Sequence, residues 1–159
     1  MRIITEPEIY IVGRQSIDHE AVSRFLADHD TEWITDSERG SELIVELAGR
    51  LCYLSFGSKQ YRKTNASYIG NLISQGHGSV LEHAVWDLVI TGVSRSFTHE
   101  LVRHRAGTGI SQLSQRYVDE STADFVEPGI IAGDPDLHAA WLAAIENAHE
   151  SYKALVEKL

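Results

Sequence analysis

Cysteine is nearly missing from this chain of 159 residues: Cys52 is the only one, so no disulfide can close within it. Its neighbours Leu51, Tyr53 and Leu54 make it read as a small core residue on an apolar helix. No Cys/His cluster has zinc-like spacing, and no metal is expected. No apolar run is long enough to cross a bilayer, and the N-terminus carries no signal-peptide pattern. A cytoplasmic location without a membrane partner is the resulting expectation. Internal repeats and low-complexity tracts are absent as well. So is a basic balance: the formal net charge is −9, which argues against long nucleic acid as a partner. What remains, 43% hydrophobic and 23% charged residues, is the composition of an ordinary globular domain. The length suits one domain over residues 1–159 with a real core.

The apolar pattern alternates between helix and strand. Residues 2–12 (RIITEPEIYIV) have strand content broken by Pro7. Ser16, Asp18 and Glu20 open a helix to about residue 29. Asp36 or Ser37 starts a second, with Leu43, Ile44, Leu47, Ala48 and Leu51 at helical spacing. Residues 55–63 (SFGSKQYRK) read as a polar, mobile loop. Thr64 caps a third helix whose Tyr68, Ile69, Leu72 and Ile73 face inward, and Gly76 stops it. Residues 84–94 have a buried-strand pattern, and 95–105 return to helix with Phe97, Leu101 and Val102 inward. Asp134 and Pro135 begin a last helix with the stripe Leu137, Trp141, Ala144, Ile145, Ala148, Tyr152 and Leu155. Many helices with few strands predict an α+β fold.

Against the acidic background, one basic island stands out. Between Ser94 and Val118 there are four arginines, at positions 95, 103, 105 and 116, and one acid, Glu100. Within it, residues 103–117 read RHRAGTGISQLSQRY. Guanidinium groups offer a rigid fork of donors that fits phosphate or carboxylate oxygens in pairs. Gly107 and Gly109 permit a tight turn that exposes backbone N–H groups, and Ser111, Gln112, Ser114 and Gln115 add short polar arms. The segment is suited to a planar, multiply anionic molecule such as a nucleotide. The plainer alternative is a set of solvated arginines on a helix face.

A second constellation, HGSVLEH at 77–83, gathers His77, Ser79, Glu82 and His83 on a helix-to-strand connection. Its histidines are six apart and lack the HExxH pattern, which disfavours a metal site. Histidines that cap local backbone are one reading. A ligand-binding turn is another, with Ser79 offering a hydroxyl to a phosphate, Glu82 accepting from a ribose or ring N–H, and His77 stacking or donating.

Taken in order, TNASYIGNLISQGHGSVLEHAVW, then HELVRHR, then SQLSQRYV resemble the flavin-dependent thymidylate synthases, over roughly residues 38–128. Neither half is a general-purpose motif. The resemblance implies a central antiparallel or mixed sheet flanked by helices. It implies a flavoprotein methyltransferase of dTMP biosynthesis that converts dUMP to dTMP. FAD is then the cofactor, NADPH the reductant and methylenetetrahydrofolate the carbon donor, in a homotetramer with shared active sites. Carried over, His77, Ser79, Glu82, Arg103, His104, Arg105 and Gln112 contact FAD. Glu100, Leu101, Val102 and Arg103 line dUMP from one chain; Gln112, Leu113, Ser114, Gln115, Arg116 and Tyr117 line it from another.

The residue chemistry agrees. Methylation at C5 of uracil needs electron density there, and a cysteine route needs an activated thiol, for which Cys52 has no neighbouring base. A flavin route removes that need and leaves positioning and electrostatics to the protein. Ser114 has no evident general base in sequence and reads as a hydrogen-bond partner of dUMP. Two differences from the family pattern accompany the match. The spacer AGTGISQL between RHR and Ser114 has eight residues, one more than the commonest family spacing, and its glycines can absorb the addition as a bulge. Residues 129–159 contain no arginine, so no counterpart of the family's uracil-activating arginine is found and no catalytic residue is assigned. The C-terminal family segment is expected to be absent from this chain. Two alternatives follow: an oligomeric flavin- or nucleotide-binding module without turnover, and an acidic regulatory protein whose basic island meets an acidic partner.

Overall fold

The computed structural model describes residues 1–159 as two compact units, Ile11–Val89 and Met1–Tyr10 with Ile90–Leu159. The strands are β1 (Arg2–Ile4), β2 (Glu8–Arg14), β3 (Trp86–Thr91) and β4 (Asp124–Val126). The helices are α1 (His19–Asp28), α2 (Gly40–Tyr53), α3 (Asn65–Ser74), α4 (Gly78–Leu81), α5 (Arg95–Leu101), α6 (Gly129–Ala132) and α7 (Pro135–Val156). The α+β content matches the sequence reading, but the expected central sheet is replaced by two separate two-stranded sheets, β1–β4 and β2–β3. Pro7 gives the physical reason: it has no N–H to continue a ladder, so the apolar residues on its two sides join different partners. Strand β1 runs parallel to β4 in the register Arg2↔Asp124, Ile3↔Phe125, Ile4↔Val126. The unit boundary falls inside β2 and β3.

In Ile11–Val89, Asp18 caps α1 through its side chain and Thr64 caps α3 by accepting from Ser67 N–H, as their residue types predict. Helix α2 starts at Gly40, later than expected, and lacks a side-chain cap. Helices α2, α3 and α4 enclose a small core of Val45, Tyr68, Leu72 and Val80, with Ala48, Ile69, Leu81 and Ala84 packed against it. Gly49 makes the α2–α3 approach possible: a Cβ there would sit 2.8 Å from the Tyr68 hydroxyl.

The same helix pair buries charge. Glu46 is fully buried and Arg50 is 1% exposed. Glu46 Oε1 accepts from Arg50 Nε at 2.8 Å, Arg50 Nη2 at 2.6 Å and Trp33 Nε1 at 3.2 Å. Its Oε2 accepts from Thr35 Oγ1 at 2.9 Å and Asn65 Nδ2 at 2.8 Å. Arg50 also donates to the carbonyls of Ser55 and Arg62, and its guanidinium lies 4.3 Å from the Tyr68 ring centroid. Because this i,i+4 pair takes the inner face, the last turn of α2 points its apolar residues outward. Leu51 and Leu54 are 43% and 68% exposed, and Cys52 is exposed rather than a core residue. Residues 55–63 are anchored instead of loose: Phe56 and Gln60 are buried, and the Gln60 amide bonds both the N–H and the carbonyl of Ile34.

In the other unit, Asp134 caps α7 with Pro135 at its first position, as the sequence indicates. The stripe along α7 is shallower than predicted, with Trp141 and Ile145 half-buried, Ala144 and Ala148 exposed, and Leu137 and Leu155 49% and 64% exposed. Polar contacts do much of the docking. His149 is buried, bonds the Ser121 carbonyl at 2.9 Å and meets the Phe125 ring edge-on at 5.3 Å. His138 Nδ1 lies 2.6 Å from the buried Glu127 carboxylate. The Tyr152 hydroxyl accepts from Glu120 N–H at 3.2 Å. Strand β3 is not buried: in a two-stranded ribbon no strand is central, and Trp86, Leu88 and Val89 are about half exposed (51%, 50% and 45%).

Candidate functional site

The two sequence constellations fall in different units and are built by different local rules. Helix α5 is capped by Ser94, whose hydroxyl accepts from Phe97 N–H, and ends at Leu101, earlier than predicted. Its end is a cascade of tight turns: Arg103 N–H to Glu100 C=O at 3.1 Å, His104 N–H to Leu101 C=O at 3.0 Å and Arg105 N–H to Arg103 C=O at 3.1 Å. Gly107 follows at φ +71°, a left-handed position that disfavours any other residue type, and Thr108 Oγ1 ties back to the His104 carbonyl at 2.6 Å. A Cβ at Gly107 or Gly109 would meet open space, so the backbone there is accessible.

Residues 111–114 form no regular secondary structure, then 115–117 turn. Arg95 Nη2 donates to the Leu113 carbonyl at 2.8 Å across 18 residues and holds this stretch to the start of α5. Ser114 Oγ accepts from Arg116 N–H at 3.2 Å and its carbonyl accepts from Val118 N–H. Leu101, Val102 and Ser114 are half-buried; Glu100, Arg103, His104, Arg105, Gln112, Leu113, Gln115, Arg116 and Tyr117 are exposed. Segment 100–117 thus brings these predicted residues into one unit.

Its electrostatics are open-handed. Arg103 faces Glu100 only at 3.6 Å, with both side chains largely exposed. Arg105 and Arg116 enter no ion pair; Arg116 lies 5.4 Å from the Tyr117 ring centroid. Each is a guanidinium group without a carboxylate partner, and Arg105 stands two residues before the accessible backbone of Gly107; donors of this kind suit anionic oxygens. Of the four arginines in the island, the sequence did not single out Arg95, whose guanidinium is a tether; its place at the first turn of α5 was the available signal.

Ser79 lies in α4, and His77, Glu82 and His83 flank it, in the Ile11–Val89 unit. Val80 is the buried pin of this turn, which leaves Ser79, Glu82 and His83 exposed and His77 half-buried. The His77 ring is nearly parallel to Tyr53, at 19° with centroids 6.0 Å apart. Tyr53 was missed in the sequence because it lies in an apolar helix turn. Lys59, Tyr61 and Arg62 border the same cleft as His77, a placement that SFGSKQYRK, read as a loose loop, did not suggest.

Comparisons with known proteins follow this geometry. Residues 34–159 match the family model described as thymidylate synthase complementing protein. Over 140 residues, 87% of the chain, it is 48% identical to a protein of Mycolicibacterium gilvum (strain PYR-GCK) named flavin-dependent thymidylate synthase. Over the same length and share of this chain, proteins of that name from Mycobacterium leprae (strain Br4923) and Mycobacterium marinum (strain ATCC BAA-535 / M) are 47% and 44% identical. The alignments cover 55%, 54% and 55% of those three proteins, so the chain spans about half the length of the curated relatives it matches.

Proposed function

This chain belongs to the thymidylate synthase complementing protein family, and from that premise we propose that it contributes to a flavin-dependent thymidylate synthase acting on dUMP. The observation that carries the reading is the pair of unpaired guanidinium groups, Arg105 and Arg116, flanking an accessible glycine turn. FAD is the cofactor, with NADPH as reductant and methylenetetrahydrofolate as carbon donor. The working assembly is a homotetramer in the cytoplasm whose subunits share active sites. Residues 1–159 resemble the N-terminal and central part of such a subunit.

Ser79, Arg103, His104 and Arg105 contact FAD, with His77 and Glu82 in support and Gln112 near both flavin and nucleotide. Glu100, Leu101, Val102 and Arg103 line dUMP from one chain, and Gln112, Leu113, Ser114, Gln115, Arg116 and Tyr117 line it from another. The chemistry supplied by a bound reduced flavin is hydride delivery and relay of the one-carbon unit. The protein's own share is orientation and charge. Arg116 neutralises the nucleotide, Ser114 donates to it, and the half-buried Leu101 and Val102 exclude water from one side. A cysteine adding to C6 is not required on this route, and the single cysteine, Cys52, is exposed.

Purified full chain incubated with FAD and freed of the unbound cofactor is expected to be yellow; with methylenetetrahydrofolate supplied it is expected to oxidise NADPH only with dUMP and to release tritium from C5-labelled dUMP. Flavin binding without tritium release would favour a binding module instead. A colourless protein that takes up no FAD overturns the reading.

A further inference from the structure

An open cleft of about 750 Å³ lies in the Ile11–Val89 unit, between the C-terminal ends of α1 and α2. Its volume is that of a small-molecule site. Lys59 is the one lining residue it shares with the cleft at His77, and no residue of the arginine segment borders it.

The floor is aromatic. Phe56 is buried, and the half-buried Phe25 meets it edge-on with ring centroids 6.2 Å apart. His29 packs on Phe25 at 4.9 Å. Leu54 adds an apolar side chain that is 68% exposed. Leu54 and Asp30 are the only non-glycine residues at positive φ in the chain, both at +46°, and both line this cleft. Glycine would hold either turn without crowding a Cβ. A leucine held there and left exposed gives the fold little in return. Backbone strain that folding does not require gathers at sites that meet ligands.

One wall is acidic. Residues 28–38 hold Asp28, Asp30, Glu32, Asp36 and Glu38, with no lysine or arginine among them. Asp36 is engaged by the Asn65 N–H at 2.7 Å. Asp30 and Glu32, the two acids in the lining, are exposed and enter no ion pair, and Lys59 is the only lysine or arginine beside them. A bare metal ion is a poor guest, because no three His, Cys, Asp or Glu side chains are placed to hold one. Aromatic rings and uncommitted carboxylates share a different complement: a ring that carries a positive charge.

We propose that this cleft binds a small aromatic amine, its ring against Phe25, Phe56 and Leu54 and its ammonium on Asp30 and Glu32. The proposal stands on the cleft and not on the flavin reading. Flavin dinucleotide and dUMP are anions, which this wall disfavours, so the site is a separate one.

Calorimetric titration of the full chain with tryptamine tests it, with indole-3-acetate (the same ring with the opposite charge) and neutral 3-methylindole as controls. Tryptamine is expected to saturate a single site and to bind about tenfold or more tightly than either control. Asp30→Asn and Glu32→Gln are each expected to weaken it about threefold or more, and the two together about tenfold or more. Asparagine tolerates left-handed backbone as aspartate does, and Gly57 N–H bonds the main-chain carbonyl of Glu32, so both substitutions leave the local turn in place. Leu54→Gly removes a wall of the cleft and relaxes the strained turn. It is expected to weaken tryptamine about threefold or more while the melting temperature stays level or rises, an outcome that a leucine serving only the fold would not give. No saturable binding of tryptamine, equal binding of either control, or unchanged affinity in the folded variants overturns the proposal. Flavin uptake, read by absorbance in the same samples, is expected to be unchanged by these substitutions. Failure of the amine site and failure of the flavin reading are therefore told apart.

Discussion

Arg50 and Arg116 are the same side chain in opposite circumstances. The first is 1% exposed and every arm of its fork is engaged, by Glu46 and by two carbonyls. The second is exposed, with a neighbouring tyrosine ring as its closest companion. A buried charge must be matched inside the fold or the fold fails. An exposed one has no such requirement and stays available to a ligand. The contrast separates arginines that build the molecule from those left free to meet a ligand, using burial and partners alone.

The largest effect should come from unbalancing the inner pair. Arg50→Met leaves Glu46 buried without its cation and is expected to cost about 3–5 kcal/mol, read as a lower urea midpoint or loss of soluble protein. Recovery in Glu46→Leu/Arg50→Met should be partial, because Trp33, Thr35 and Asn65 then lose their acceptor. A wild-type midpoint for Arg50→Met would erase the contrast. Next comes Arg116→Ala, expected to weaken dUMP by about 1.5–3 kcal/mol in calorimetry, and FAD by less. Its unfolding midpoint should stay within about 0.5 kcal/mol of the parent, as for other exposed positions. A melting change as large as that of Arg50→Met would place Arg116 with the builders.

Helix caps lie between these extremes. Asp134→Ala removes an acceptor for Asp136 and Leu137 N–H at the start of α7 and should cost about 1 kcal/mol in thermal unfolding. The smallest effect is pH dependence. Hydrogen bonding from Ser37 holds Glu42 below its ordinary 4.5, Ser121 holds Asp119 below 3.8, and Lys153 holds Glu150 below 4.5. Each group is a stronger acid folded than unfolded. Its stabilisation is complete above those ordinary values and disappears as acid protonates the folded form. The melting temperature should therefore fall slightly between about pH 5 and pH 3, and Glu42→Gln should flatten that slope.

The helices were legible because capping is local chemistry. Asp18, Thr64 and Asp134 announce α1, α3 and α7 by residue type, and their side chains make the bonds expected. The turn after α5 was legible for a similar reason, since glycine at 107 signals a left-handed bend. Sheet partnership was not, because pairing depends on residues far apart in sequence: nothing in Ile3–Ile4 names Phe125–Val126. The inner ion pair was hidden for a different reason. Glu46 and Arg50 at i,i+4 look like an ordinary exposed helix pair, and only the approach of Tyr68 over Gly49 turns them inward. The same blindness hid Lys59 and Arg62, whose placement follows from Gln60 clasping the Ile34 peptide.

The Arg95 tether to the Leu113 carbonyl has a kinetic meaning. By cinching the stretch between Arg95 and Leu113 at its base, it removes slack that any ligand docking there would otherwise have to draw in. Exchange of ligand at this stretch then requires side chains to swing, not the main chain to refold, and the entropy surrendered on docking is correspondingly small.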